Sequence, residues 1–440
     1  MINENASFAE DRAAIRLPQI FEPNSKTSLT DDLRQSVERV MMIEREPQDD
    51  PDVIARRDNL LMLTPDTRLT ASFEGRLLKD SQEAYHELDE AFKAYNHTPY
   101  FRMVEDKHVI HAMRGRVQPR KRGWVVPLVL FIITFFSLLQ VGAGIAISEI
   151  AADDLRTAEQ LANNLLGELW RGLPYALSLL LILGAHELGH YFAARYHKIS
   201  VSLPYFIPLP FIGFFGTMGA FIRIDEPFKN RKAMLDVGAA GPLMGLVFAI
   251  PIVIIGLATS QVREITPGGV AEGNSLLYAL AKVITFGRFL PDNGVDVYIN
   301  QLAFAGWAGL LVTSLNLIPL GQLDGGHIVF SLFGNAVRKL YFPLLVVVGG
   351  LVLVSSMWLL WLVLLFMFGQ LYAAPLDMIT PLDKRRRWIA WLGVVLLIVT
   401  FVPIPLSESI ASTGPRLPLS GESVMLIIGM VLWRGWKARK

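Results

Sequence analysis

His186-Glu187-Leu188-Gly189-His190 packs two imidazoles and a carboxylate into five consecutive residues. On a helix, side chains four residues apart share a face, so both imidazoles can reach one metal ion. Glu187 then stands beside the open coordination position, where it can take a proton from an attacking water and later hand it to a leaving amine. At average residue usage such a pentamer arises by chance in roughly one chain of this length in a hundred, so the pattern alone does not carry the reading. Its setting does more. The motif lies inside an apolar run at 173–194, and ionisable groups in hydrocarbon are expensive enough to mark function. The plainer alternative is a buried His–Glu contact between two helices, and it leaves three such groups in five residues unexplained.

A catalytic zinc ion takes three protein ligands and keeps one position for water. The chain contains no cysteine, which excludes disulfides, thiol nucleophiles and thiolate ligands together. Any zinc must therefore be held by His and carboxylate. Asp324 is the strongest third ligand. It lies in Asn316-Leu317-Ile318-Pro319-Leu320-Gly321-Gln322-Leu323-Asp324-Gly325-Gly326-His327, after an apolar run and before two glycines that allow close backbone approach. Asp324 could instead cap a following helix. His327 is a rival ligand, its plainer role being an interfacial imidazole bonded to backbone or water. Asn316 could donate to a substrate carbonyl or a developing oxyanion, or simply end a helix facing water.

The elements that must position these groups are mostly membrane-spanning. Of 440 residues 52% are hydrophobic, and they fall in long blocks, as transmembrane helices do. Lys+Arg number 41 and Asp+Glu 40, so no nucleic-acid partner is expected. Spans are expected at about 124–148, 173–194, 234–258 and 299–320. The segment 203–222 is apolar but broken by Pro204, Pro208, Pro210, Gly213, Gly216 and Gly219, which suits a re-entrant hairpin. Within it Gly216, Thr217, Met218 and Gly219 could offer an edge to which an unwound substrate adds as a strand, or form a packed loop. Gly238 to Gly245 lets helices approach closely, chiefly for packing and secondarily to line a site. The connection of about 40 residues between the third and fourth spans is too short for an insert domain of ordinary size. The run 341–370 could cross once or twice; a single crossing would put the basic loop Lys384, Arg385, Arg386, Arg387 on the outer side. A further span is expected at about 388–406, and a weaker one before the basic tail 434–440.

Residues 1–122 read as a soluble head, with 1–55 partly disordered and 56–122 a small α/β module. Leu69 to Glu74 alternates like a strand, Asp80 to Asn96 has helical spacing, and 100–104 and 108–113 can pair across 105–107. No apolar leader is visible at the start. The cluster Arg114, Arg116, Arg120, Lys121 and Arg122 precedes the first span, which places the head in the cytoplasm by the positive-inside rule. The fold class expected is mostly α, a polytopic membrane helix bundle with a re-entrant hairpin behind a small soluble α/β domain. A cell inner membrane is the expected location.

HELGH in one span, Gly238 to Gly245 in the next and NLIPLGQLDGGH after another together resemble the site-2 protease family of intramembrane metalloproteases. The resemblance covers about 173–330, and the head suggests the plastid and cyanobacterial-type branch. It implies one Zn²⁺ per chain held by His186, His190 and Asp324, Glu187 as general base and Asn316 as a transition-state aid. It also implies substrates that are single-span membrane proteins, cut within or beside the bilayer. One position departs from the family pattern: where the loop often carries a second proline soon after the first, this chain has Gly321. Two other classes remain in view, an inactive relative that binds without cutting and a metal transporter. Glu187 argues against the first. The compactness of the two motifs argues against the second, because transport paths spread their ligands along several helices.

Overall fold

The computed structural model describes residues 26–47, 54, 68–117, 123–151, 153–211, 213–265 and 270–408. The expected linker near 47–51, three of the five basic residues before the first span, and the weak C-terminal span lie wholly or largely outside them.

In the head, helix α1 (Lys26–Glu38) precedes strands β1 (Met41–Arg45) and β2 (Arg68–Leu77), then helix α2 (Ser81–Lys93) and strands β3 (His97–Val104) and β4 (Lys107–Arg114). The four strands form one antiparallel sheet in the order β1-β2-β4-β3. Asp80 caps α2 by accepting from the Gln82 N–H at 2.9 Å, and Tyr85, Leu88 and Phe92 bury one face of that helix against the sheet. The stretch 26–45, expected among loosely ordered residues, forms α1 and β1 because Leu33, Val37, Val40 and Met41 join this core. Those apolar residues are too few and too interspersed with charge to announce themselves by periodicity.

The membrane part begins with α3 (Val125–Ala151), followed by the short amphipathic α4 (Leu155–Asn163) and by α5 (Leu173–Tyr196). Strands β5 (Tyr205–Pro208) and β6 (Thr217–Phe221) pair as the expected hairpin. Next come α6 (Arg231–Ala258), strands β7 (Gln261–Glu264) and β8 (Val270–Glu272), helix α7 (Leu276–Phe286), strand β9 (Val295–Tyr298) and helix α8 (Gln301–Asn316). The chain ends its described course with α9 (Asp324–Phe333), α10 (Tyr341–Val352), α11 (Trp358–Phe368), α12 (Lys384–Thr400) and β10 (Leu406–Glu408). Helices α3, α5 and α6, and the helical passage 324–352, are each long and apolar enough to cross a bilayer. The protein is thus a polytopic membrane protein.

Three features place the site. First, α8 is enclosed by the bundle but only 16 residues long, or about 24 Å at 1.5 Å per residue, short of a hydrocarbon core of about 30 Å. Its end, and the non-helical 317–323 that follows, therefore sit inside the bundle, where irregular backbone is tolerated only against protein or a cavity. Second, the run 341–370 reverses at 353–357. Tyr341 Oη at the start of α10 donates to the Phe366 carbonyl near the end of α11 at 3.1 Å, so these helices are antiparallel. The basic residues 384–387, expected in a loop, form the first turn of α12 and share an end with the start of α6, where Arg386 pairs with Asp236 at 2.6 Å. Of the two arrangements left open for 341–370, the structure has two short passages. Third, the segment 376–378 is inserted between the head and the membrane part. Phe101 N–H donates to Leu376 O at 2.9 Å and Met378 N–H to Phe101 O at 3.1 Å, while Leu376 and Asp377 N–H donate to Phe228 O and Lys229 O. This segment covers the β3 edge, which would otherwise expose unpaired backbone groups.

The connection 259–300 is more ordered than its length suggested. Strands β7 and β9 pair, and β8 pairs with β10. Beneath them Lys282 is fully buried, with its Nζ 3.0 Å from Glu272 and 3.2 Å from Asp296. The Glu272 carboxyl is pushed above its usual range, by burial first, with Lys282 opposing.

Candidate metal centre

The motif 186–190 lies well inside α5, with His190 six residues before the helix ends at Tyr196, about 9 Å at helical rise. His186 and His190 fall on the face that packs against α6, as their four-residue spacing requires. The approach of the two helices is close because both carry small residues at the crossing. A Cβ on Gly189 would lie 2.6 Å from Ala240 O, one on Gly241 2.1 Å from His190 Nε2, and one on Gly245 3.2 Å from His186 Nδ1. Gly238 likewise faces His327, whose Cβ would be 2.8 Å from an added methyl. Gly238, Gly241 and Gly245 recur at three- and four-residue spacing, so one stripe of α6 leaves room for three imidazoles. Packing and lining the site are here the same function.

Asp324 is the first residue of α9, and Leu323 is the cap, with no side-chain capping bond. The carboxylate is turned to the histidines instead: Oδ2 is 3.1 Å from His186 Nε2 and Oδ1 3.2 Å from His190 Nε2. One ligand atom from each of His186, His190 and Asp324 lies within 4.8 Å of the others. Tetrahedral zinc with bonds of about 2.0–2.2 Å sets its ligand atoms roughly 3.3–3.5 Å apart, so small adjustments suffice. The chemistry of the donors fits as well. His190 Nδ1 is 2.7 Å from the Val237 carbonyl, which can only accept, so Nδ1 carries the proton. Nε2, the other ring nitrogen, faces a carboxylate oxygen, and in the neutral ring its lone pair is free to bind a cation held between the two. His327 is outside this group.

Glu187 is buried, and its carboxylate lies near the Ile222 N–H, just past β6. Asn316 ends α8 with Nδ2 3.3 Å from His186 Nε2, so it faces the centre, not water. A cavity of about 180 Å³ joins these groups, and Ala220, Phe221, Ile222, Gln322 and His327 also line it. Gly216, Thr217, Met218 and Gly219, expected as a substrate edge, stand at the other end of β6 and do not line it. Gly216, at φ +71°, instead takes a hydrogen bond on its carbonyl from Ser137 of α3 at 2.6 Å. His97, His108 and His111 are strand residues bonded within the head, to Thr70, Leu77 N–H and Ser72 respectively.

Gly321 explains the loop's departure from the usual proline. It adopts φ +57°, unreachable for proline, and its N–H lies near the Tyr372 hydroxyl. Sequence reasoning missed Tyr372 and the Ile222 N–H, since backbone donors leave no trace in residue type. The glycine stripe could have been found from its spacing.

A largely buried His-His-Asp group with an adjacent glutamate, carried on α5 and the start of α9 and packed against α6, defines a metallopeptidase-type membrane core. Residues 174–356 match the model of peptidase family M50, in line with the resemblance that the sequence motifs carry. The chain is similar to the "Probable zinc metalloprotease EGY2, chloroplastic" of Arabidopsis thaliana, 34% identical over 239 residues, 53% of this chain and 42% of that one. It is 30% identical over 296 residues to the "Probable zinc metalloprotease EGY1, chloroplastic" of the same plant, 64% of this chain and 53% of the relative. It is also 32% identical over 309 residues to the EGY2 protein of Oryza sativa subsp. indica, 67% of this chain and 52% of that one. The chain spans about half the length of these curated relatives. No solved structure matches it.

Proposed function

We propose that the chain is an intramembrane zinc metalloendopeptidase that hydrolyses peptide bonds within or next to the spans of single-span membrane proteins. The observation that carries the reading is the convergence of His186, His190 and Asp324 on one point inside the bundle, with Glu187 lining the same cavity. The names of the relatives support zinc as the ion.

Zinc bound by these three residues supplies Lewis acidity, polarising a peptide carbonyl and acidifying a water. The chain's own groups supply the rest. Glu187, which lines the cavity beside the three ligands, takes the water's proton and returns it to the leaving amine. The Asn316 amide, beside His186, donates to the carbonyl oxygen as negative charge develops there. A helical span has its carbonyls and N–H groups engaged, so the segment to be cut must unwind. The backbone of Ala220 to Ile222 borders the cavity and offers an unwound segment strand-like partners. We infer that the membrane is one whose basic loops, and hence the head, face the cytoplasm or the equivalent plastid compartment.

The test uses detergent-purified protein, its zinc content, and a panel of single-span substrates cut by wild type and by Glu187→Gln. Wild type with one zinc, cutting that a chelator abolishes, and a zinc-loaded Glu187→Gln slower by about 10²–10⁴-fold are expected. Equal cutting by both proteins would overturn the role of Glu187, and a wild type that binds no zinc would overturn the metal centre.

A further inference from the structure

His327 lines the cavity beside the ligand group yet does not belong to that group. The residue is 8% exposed. Its Nδ1 is buried without a partner, and among the described residues neither ring nitrogen is hydrogen-bonded. The ring is nonetheless fixed. Phe228 meets it edge-on at 5.3 Å, and Gly238 closes on its Cβ. Asn316 stands beside His186, whereas His327 sits one helical turn beyond Asp324, against the residue that follows Val237, the acceptor for His190. Asn316 thus stands against α5 and His327 against α6, and both line the cavity that holds the ligand group.

A neutral imidazole always carries one donor and one acceptor, and burying both unpaired is costly. An apolar residue of similar volume would pack here without that cost. A partner that arrives with the substrate removes it. An unwound peptide entering this cavity brings main-chain N–H and carbonyl groups that have left their helix and find little water at this depth.

We propose that His327 hydrogen-bonds the main chain of the unwound substrate, within the cavity that holds the ligand group, and so holds the peptide in place for cleavage. The assignment rests on the proteolytic reading above. It makes His327 a substrate-contacting residue and not a metal ligand.

The test compares His327→Leu and His327→Asn, each alone and in the Glu187→Gln background. The probe is a fluorescent single-span peptide of about 30 residues with a Gly-Pro middle that favours unwinding. Zinc content and unfolding temperature of His327→Leu are expected to equal or exceed those of wild type. Peptide affinity in the Glu187→Gln background is expected to fall about tenfold, the worth of one buried hydrogen bond. Cleavage by His327→Leu should fall by at least the same factor, and His327→Asn, which retains a donor and an acceptor, should recover part of both. Binding and cutting by His327→Leu at wild-type levels would overturn the contact while leaving proteolysis intact. Loss of zinc and of thermal stability in His327→Leu would overturn it in favour of packing. Binding that depends on His327, in a wild type that never cuts, would support the contact and sink the proteolytic reading.

Discussion

Replacing Gly241 by alanine adds one methyl group, whose carbon would stand 2.1 Å from His190 Nε2, 2.4 Å from Cε1 and 2.6 Å from Cδ2. Ordinary contact begins at 3.4 Å, so the imidazole has to retreat by about 1.3 Å, against a tolerance of about 0.2 Å for a metal–ligand distance. The ring cannot simply swing aside, because its Nδ1 is tied to Val237 O at 2.7 Å on the same helix as Gly241. Either that bond breaks or Nε2 leaves its place opposite Asp324. Disturbing even the outer partners of a metal ligand costs 10–100-fold in affinity, about 1.4–2.8 kcal/mol. Displacing the ligand itself should cost at least that. Fold stability should change less. Overpacking costs about 1–3 kcal/mol, and replacing a helical glycine by alanine returns up to about 1 kcal/mol.

The assay is zinc affinity by competition with a chromogenic chelator, alongside thermal unfolding in the same detergent. Two further glycines make the series internally controlled. Gly245→Ala would place its Cβ 3.2 Å from His186 Nδ1, a contact relieved by a few tenths of an ångström, and nothing lies within 4 Å of a Cβ on Gly184. Gly241→Ala should lose zinc affinity strongly, Gly245→Ala by a few-fold at most, and Gly184→Ala not at all. Zinc affinity of Gly241→Ala within a factor of about two of wild type, or equal losses in all three, would refute the reasoning.

Gly321→Pro should destabilise the loop before Asp324 by about 3 kcal/mol or more, since it demands φ +57° of a ring fixed near −65°; an unchanged unfolding temperature and zinc content would refute this. Lys282→Met leaves Glu272 and Asp296 facing each other in a buried site, a loss of about 3–5 kcal/mol that thermal unfolding reads directly. Arg102→Ala removes a buried guanidinium that donates to Phe101 O, Pro375 O and Leu376 O. Hydrogen exchange at Leu376 to Met378 should accelerate by roughly tenfold or more, as charged hydrogen bonds worth about 1.5–3 kcal/mol each disappear, and exchange at the wild-type rate would show that the segment is held by other contacts.

The candidate ligand residues were legible because their chemistry depends on side-chain type and on a spacing that helical geometry fixes. His186, Glu187 and His190 stand out as ionisable groups in an apolar run, and with cysteine absent Asp324 and His327 were the rival third ligands, of which Asp324 is the one that lies with the two histidines. The first three spans were legible for the same reason, apolar length being a property of the sequence itself; the fourth expected, at about 299–320, is instead the short α8, and 324–352 was not read as a span. The shortness of α8 was not legible. Asn316-Leu317-Ile318-Pro319 is apolar enough to read on as span, and only the packing of 317–323 inside the bundle shows that the helix stops where the site needs a polar end. The edge expected at Gly216 to Gly219 lies too early in β6 to border the cavity, because glycine content marks where backbone can turn, not which backbone groups face a ligand.

The segment 368–380 was illegible for a deeper reason. Its composition, Phe-Gly-Gln-Leu-Tyr-Ala-Ala-Pro-Leu-Asp-Met-Ile-Thr, fits a loop after a span, and its partners lie 53 and 274 residues away in the chain. Tyr372 donates to Pro319 O at 3.5 Å, and it stacks on Phe330 of α9 at 5.8 Å. Four residues later Leu376 enters the core of the head. One segment thus braces the turn that presents Asp324 and closes the edge of the head sheet. Neither job has a local sequence signature, since each uses backbone groups and ordinary apolar contacts. The energetic consequence is that loosening the head from 376–378 removes support from the segment that holds the Asp324 loop, so the head is part of the scaffold of the metal centre and not an appendage to it.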